Sequence, residues 1–336
     1  MRLQFGVGML SRDLWLTADC ARLADDLGFD LVRLADSQSL FHDCYVGLAL
    51  IALSTQRVKV GPAVTNPVTR HPVVTAGAVA TLDDLSGGRA FLGIGAGDSA
   101  LHNLGERPAT AEMIREYVVA VRELFRHRET VYRGKRARLT WPKREVPIWI
   151  GATGPKALRM AGAVADVVIL GSGFWPARIS ADLAYVEEGA RAAGRRLADV
   201  ELWAFGPGNA ADTRDAAIRP LLAALADRGR HALARELADE QPPPELVPAL
   251  QRLAREYRLE EHQGGATSSN ARLVEELGLA DYLAARFALA GTPEECIAQA
   301  RAVAATGVRG LMLTIVSPDA RASIRAIGER VLPAFR

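Results

Sequence analysis

Short apolar runs alternate with longer amphipathic stretches along most of the chain. "RLQFGVGM" (2–9) precedes "LWLTADCARLADDLGFD", where Leu16, Cys20, Leu23, Ala24 and Leu27 recur at helical spacing and define one face. Gly28 follows where a helix C-terminus is expected. The cycle then repeats. "LVRLAD" leads to "YVGLALIALST", "RVKVGP" to "TAGAVATLDDLSGG", and "AFLGIG" to "AEMIREYVVAVRELFRH". "VPIWIG" leads to "PKALRMAGAVA", "DVVIL" to "DLAYVEEGARAAG", and "VELWAFG" to "AADTRDAAIRPLLAALAD". An eighth strand, "GLMLTIV" (310–316), precedes the last helix, "ARASIRAIGERVL".

Alternation of this kind requires parallel strands joined by right-handed crossovers. A closed barrel and an open doubly wound sheet both satisfy it, and eight units favour closure, which leaves no unpaired edge. The expected fold is α/β, a (β/α)8 TIM barrel forming a single domain over residues 1–336. Two stretches break the rhythm. "RETVYRGKRARLTWPKRE" (128–145) alternates like a short hairpin. Residues 229–290 interrupt the seventh and eighth units with "DEQPPPELVPAL" and "EHQGGATSSN". That segment reads as a helical insertion, a lid or dimer segment, with a plain surface excursion as the equal alternative.

Composition narrows the function classes. With 49% apolar and 24% charged residues, the chain reads as an ordinary globular protein. A formal net charge of +2, without a basic stripe interleaved with aromatics, argues against a nucleic-acid partner. Cys20, Cys44 and Cys296 lie far apart without metal-ligand spacing, so neither a disulfide framework nor a metal site is expected. "MRLQFGVG" enters a strand without a signal-peptide pattern, and no apolar run reaches the ~18 residues of a membrane span. The expected location is the cytoplasm.

In a barrel of this type the C-terminal ends of the strands carry the active face. The candidates are Asp36 after the second strand and Thr65 and Asn66 after the third. Gly95, Gly97 and Asp98 follow the fourth, Ala152, Thr153, Gly154, Pro155 and Lys156 the fifth, and Gly171 and Ser172 the sixth. In "GIGAGD" (93–98), Gly95 and Gly97 with Ala100 satisfy G-x-G-x-x-A. The dinucleotide fingerprint belongs in the first βα turn, however, and this is the fourth. The glycines either make a tight turn or let backbone approach a flat ring, with Asp98 at its rim. "GATGPKAL" (151–158) opens a helix with Pro155 near its first position, an arrangement whose free N–H groups hold phosphate. Lys156 adds charge there or is simply solvated. Asp36 either caps the next helix or contacts a ring or substrate. His42, His71 and His102 lie near the same rim, but no Ser/His/Asp order or metal spacing emerges, which points to a cofactor that carries the chemistry. "VGPAVTNPVTRHP" (60–72) holds three prolines, too many for a helix or a central strand.

The run "GPAVTNPVTRHPVVTAGAVATLDDLSGGRAFLGIGAGDSALHNLG" (61–105) resembles the bacterial luciferase-like superfamily. It is most similar to the branch containing methylenetetrahydromethanopterin reductase and related deazaflavin-dependent enzymes. "PIWIGATGPKALRMAG" (147–162), "AGTPEECI" (290–297) and "SPDARASIRAIGERV" (317–331) extend the resemblance, which is weakest over 229–285. It implies a barrel that binds FMN or a deazaflavin at the strand C-terminal ends. It also implies a bulge after the third strand with a non-prolyl cis peptide, here at Ala63–Val64, whose backbone backs the ring. Gly95, Gly97 and Asp98 would line the ring edge, with Asp98 a proton donor. Ala152 to Lys156, with Gly171 and Ser172, would hold the ribityl chain and phosphate, and Asp36 matches the family's acid near the ring. Two departures stand out. Ser37 occupies a position where relatives often have His, and "FGVGML" lacks the acid found in the first strand of the methanopterin branch. The pterin substrate is therefore not carried over.

The expected function is a cytosolic oxidoreductase moving hydride between reduced coenzyme F420, a deazaflavin, and a small organic substrate, with Asp98 or Asp36 handling a proton. The alternative is an FMNH2- and O2-dependent two-component monooxygenase served by a separate cofactor reductase. A third reading is a non-catalytic flavin-binding barrel. The expected assembly is a homodimer, with no nucleic-acid or membrane partner. Substrate choice is assigned to "GSGFWP" (171–176) and the insertion.

Overall fold

The computed structural model describes residues 2–230, 242–258, 261, 265 and 267–336. Strands and helices alternate in the order of a (β/α)8 barrel, and each of the eight expected strands forms. In chain order they begin β1 (Gln4–Met9), α1 (Leu14–Asp26), β2 (Leu31–Leu34), α2 (Cys44–Ser54), β3 (Lys59–Pro62) and α3 (Pro72–Ser86). Next come β4 (Leu92–Ile94), α4 (Ser99–His102), α5 (Ala111–His127), the hairpin β5 (Glu129–Tyr132) and β6 (Lys135–Arg138), β7 (Ile148–Ala152), α6 (Pro155–Val164), β8 (Val167–Leu170) and α7 (Pro176–Ala192). The chain closes with β9 (Glu201–Ala210), α8 (Arg214–Ile218), α9 (Leu222–Arg230), α10 (Val247–Glu256), α11 (Ser269–Glu276), α12 (Ala280–Phe287), β10 (Leu289–Gly291), α13 (Pro293–Ala304), β11 (Gly310–Ile315) and α14 (Ala320–Arg330).

The chain divides into two compact units. The larger comprises Gln4–Gly171 and Ala181–Trp203. In it β1 pairs with β2, β2 with β3, β4 with β7 and β7 with β8, all parallel. Single bridges Val60↔Ala90 and Thr65↔Ile94 join β3 to β4, which makes one run of parallel strands. β2 reads LVRL and is buried at every position, as a strand covered on both faces must be. The expected hairpin at 128–145 is β5–β6, turning at Arg133–Gly134, both with positive φ.

Helix ends follow local chemistry. Asp13 caps α1 and Asp43 caps α2, each carboxylate accepting two backbone N–H bonds. Gly28 takes φ 80° just past α1. The buried face of α1 overlaps the expected one. Cys20 and Ala24 are buried and Leu23 and Leu27 half-buried, as the spacing requires, but Leu16 is exposed and Thr17, Ala18, Ala21 and Asp25 are buried as well. Asp25 is buried because its carboxylate accepts the N–H groups of Gln56, Arg57 and Val58 at 2.6, 3.1 and 3.0 Å.

The smaller unit comprises Met1–Leu3, Ser172–Ser180 and Ala204–Arg336. β10, not foreseen from sequence, pairs in parallel with β9. The seventh helical stretch is not one helix: Pro220 lies in a short 3-10 turn between α8 and α9, where a proline cannot continue the ladder. Within residues 229–290, α10, α11 and α12 are helical and share a core with α9, built on Leu225, Leu250, Leu253, Val274 and Leu283. Residues 231–241, 259–260, 262–264 and 266 of that segment lie outside the described residues. Thr292 and Glu295 form a reciprocal capping box at the start of α13, with Pro293 at its first position. All three cysteines are free and buried. Among the described residues no helix is long and apolar enough to cross a membrane.

Asp25→Ala strips the Gln56, Arg57 and Val58 N–H groups, the last of them buried, of their carboxylate acceptor and is expected to cost about 2–4 kcal/mol of unfolding free energy in urea titrations.

Candidate active site

The turn that follows β3 is the centre of the site. The Ala63–Val64 peptide bond is cis, at the position expected. Ala63 N–H donates to the Leu34 carbonyl at 2.8 Å, and Thr65 N–H donates to the Gly93 carbonyl at 2.9 Å. Gly95 N–H returns a bond to the Thr65 carbonyl at 2.8 Å. The turn is thus gripped by β2 on one side and β4 on the other. Val64 points toward β4 and β7: a β-carbon at Gly95 would lie 2.9 Å from its Cγ2, and one at Gly151 3.0 Å from its Cγ1. The Val64 side chain thus packs against the main chain of both strands, and Ala63, Thr65 and Asn66 are themselves buried.

Asn66 closes the turn. Its Oδ1 accepts from Val68 N–H at 3.0 Å and Thr69 N–H at 2.9 Å. Its Nδ2 is buried and has no hydrogen-bond partner among the described residues. A buried amide left this way calls for a ligand acceptor or water. Gly97 adopts φ 78°, and a β-carbon there would lie 2.8 Å from Asn66 Cβ.

Asp36, at the end of β2, is not a helix cap; Asp43 takes that role for α2. The buried Asp36 Oδ2 accepts from Thr65 Oγ1 at 2.6 Å and pairs with Arg70. Arg70 reaches Asp43 Oδ2 at 3.3 Å and lies 4.8 Å over the Tyr45 ring. Tyr117 Oη lies against this network, donating to the Arg70 carbonyl at 2.9 Å or to Thr75 Oγ1 at 2.6 Å. Burial, reinforced by Asp36, pushes the Cys44 thiol and the Tyr45 hydroxyl well above their usual ranges, so both stay neutral. Sequence reading missed Arg70, Tyr45 and Tyr117. Arg70 lies in "TRHP", and its signal was a lone cation within a stiff loop two residues before Pro72.

The remaining candidates occupy the rim with fewer contacts. Asp98 precedes α4 and makes no capping bond. Its side chain is 68% exposed, with Oδ1 3.0 Å from His102 Nδ1. Ser37 Oγ and Ser99 Oγ are 2.8 Å apart, and Gln38 Nε2 donates to the Ala100 carbonyl at 2.8 Å, tying the end of β2 to α4. His42 and His71 do other work: His42 Nδ1 lies 2.9 Å from the Ser11 carbonyl, and His71 caps α3. Ala152 ends β7, and Thr153 and Gly154 lead into α6, which starts at Pro155 without any side-chain cap. Its first N–H groups are left for an anion, and Lys156 is exposed beside them. Gly171 donates its N–H to the Ala152 carbonyl at 3.1 Å. Ser172, the next residue and the first of a segment of the smaller unit, is buried, and its Oγ has no partner among the described residues.

These features fit a flat ring with a phosphorylated tail: a turn bonded from both sides, an unpartnered buried amide and a helix N-terminus without a side-chain cap. Among the described residues no group of three or more His, Cys, Asp or Glu is placed to hold a metal ion.

Comparison with known proteins agrees with this geometry. The sequence signature of the family described as "Luciferase-like monooxygenase" matches residues 10–310. The 5,10-methylenetetrahydromethanopterin reductase of Methanopyrus kandleri is 27% identical over 373 aligned positions, covering 99% of each chain. An F420-dependent glucose-6-phosphate dehydrogenase of Nakamurella multipartita is 29% identical, covering 95% of this chain and 92% of its own. The solved structure of the coenzyme F420-dependent tetrahydromethanopterin reductase from Methanopyrus kandleri superposes over the whole of both chains with a TM-score of 0.79 at 24% identity, and so shares the fold.

Two glycine substitutions separate backbone cost from site damage. Gly105→Ala, at φ 73° with open space around it, is expected to lose about 1–2 kcal/mol in denaturant unfolding. Gly97→Ala, at similar φ but against Asn66, is expected to lose about 3 kcal/mol or more.

Proposed function

Because this chain belongs to the luciferase-like monooxygenase family, we propose that it is an oxidoreductase that uses coenzyme F420 or FMN and, with F420, moves hydride to or from a small organic substrate. The observation that carries this reading is the turn at 63–66, which is bonded from both neighbouring strands while the buried Asn66 amide remains without a partner among the described residues. A relative named as an F420-dependent glucose-6-phosphate dehydrogenase, aligned over 95% of this chain, favours the deazaflavin.

When bound, the ring supplies the hydride-carrying carbon. The chain's own residues orient and bind. Thr65 and Asn66 set the backbone behind the ring, and the α6 N-terminus with Lys156 takes the phosphate. Asp36 serves as a fixed acceptor, because its Oδ2 is engaged by both Thr65 and Arg70. The proton falls to Asp98, which is exposed and shares a contact with His102.

Anaerobic titration with oxidised F420 and with FMN, followed by single turnovers of each reduced ring with carbonyl acceptors, tests the reading. Tight F420 binding with acceptor-dependent, oxygen-independent bleaching or recovery of the ring absorbance is expected. Tight FMNH2 binding with product formed only under O2 would replace it with the two-component monooxygenase. Binding without any turnover would leave a flavin-holding barrel.

We also propose that a second copy of this chain covers the face made by α2 and α3. Val46 and Leu53 on α2 stand 61% and 66% exposed, with Val74 on α3 at 57%. α2 carries no charged residue, so its surface brings no like charges into a two-fold contact. Sedimentation is expected to give a dimer for the parent chain and a monomer for the pair Val46→Glu and Leu53→Glu.

A further inference from the structure

Arg33 stands third in the four-residue strand β2, where its neighbours are Leu31, Val32 and Leu34. It is only 4% exposed. A guanidinium in such a place is costly to desolvate, and a buried charge is weak evidence for stability as such. Methionine or leucine would fill much of the same volume without that cost. The position therefore asks for a use that needs a cationic donor.

Arg33 Nη1 donates to the Ala63 carbonyl at 2.9 Å. Room for it is made on the neighbouring strand. Gly8 is the in-register partner of Arg33 on β1, and a β-carbon there would fall on the guanidinium. The same strand end supplies two further holds on the turn, from the Leu34 carbonyl to Ala63 N–H and from Asp36 to the Thr65 hydroxyl. Arg33, Leu34 and Asp36 thus fix Ala63 and Thr65 from one side, while Gly93 and Gly95 fix Thr65 from the other.

We infer that Arg33 is a positioning residue of the redox site, holding the main chain of the 63–66 turn through the Ala63 carbonyl. The inference rests on the reading that this turn backs a flavin-type ring. The mechanism is indirect: Arg33 touches the protein backbone, and the backbone presents the surface on which the ring lies. Direction matters here, because a carbonyl held by a planar, two-branched donor cannot rotate outward without leaving a buried cation short of an acceptor.

The test uses the full chain carrying Arg33→Met, Arg33→Lys or Gly8→Ala, the last keeping the charge but displacing it. Each is measured for its thermal midpoint without cofactor, for its dissociation constant with oxidised F420 and with FMN, and for the absorption spectrum of the bound ring. Arg33→Met is expected to unfold cooperatively yet bind the ring about tenfold or more weakly, with a shifted bound-ring band. Gly8→Ala is expected to behave likewise, and Arg33→Lys to recover part of the affinity and of the spectrum. If Arg33→Met does not fold, the lysine and Gly8 variants decide the matter by the same two readouts. Variants that fold and bind within about twofold of the parent, with an unchanged spectrum, would overturn the role of Arg33 alone. A parent chain that binds neither ring would overturn the functional reading, and this inference with it.

Discussion

The stretch from Ala63 to Asn66 must leave β3, turn and still satisfy its backbone in a buried setting. Ordinary sheet pairing cannot do this, because the strand ends at Pro62. The solution is a set of bonds from both neighbours: Leu34, Gly93 and Gly95 by main chain, Arg33 and Asp36 by side chain. Much of the local sequence follows from that need. Gly95 and Gly151 are glycine because Val64 occupies the space their β-carbons would take. Thr65 is a threonine with its hydroxyl on Asp36 and its backbone paired across to β4. A turn so built is held by bonds to the strands on both sides of it.

Charge is arranged around the same turn with equal care. Arg33, Asp36, Asp43 and Arg70 all act on the buried Cys44 thiol, so two guanidiniums and two carboxylates share one environment. Their opposite signs offset the desolvation that each would meet alone. Arg70 gains further from the Tyr45 ring beneath it, and its own carbonyl is available to the hydroxyl of Tyr117. A carboxylate engaged by a cation and a hydroxyl is well placed to hold geometry. It is poorly placed to trade protons, since protonation would break the bonds that fix it.

Much of this was legible in the sequence, for identifiable reasons. The eight strands announced themselves because parallel strands buried on both faces are short, continuous and apolar, and VPIWIG and GLMLTIV could be little else. Helix ends were legible where Gly28 and Pro155 punctuated them, whereas Pro72, read as loop, opens α3. The face of α1 was legible at Cys20 and Ala24 and missed only at Leu16, which is exposed. Arg33 and Arg70 escaped notice for a different reason. A pattern reading treats a charge as solvent-facing unless something pairs with it, and their partners Ala63 and Asp36 lie 30 and 34 residues away. The split of the seventh helical stretch was written in Pro220 and passed over, because the apolar period continues across it.

Ser37 shows how one hydroxyl ties the rim together. It meets the hydroxyl of Ser99 at 2.8 Å. Such a pair is a structural tie: neither oxygen titrates near neutrality, and each satisfies the other. What the tie fixes is the start of α4, and on α4 and its preceding residue sit His102 and Asp98, 3.0 Å apart. Both side chains of that pair are exposed, so it meets solvent on a segment that the two serines hold against the end of β2.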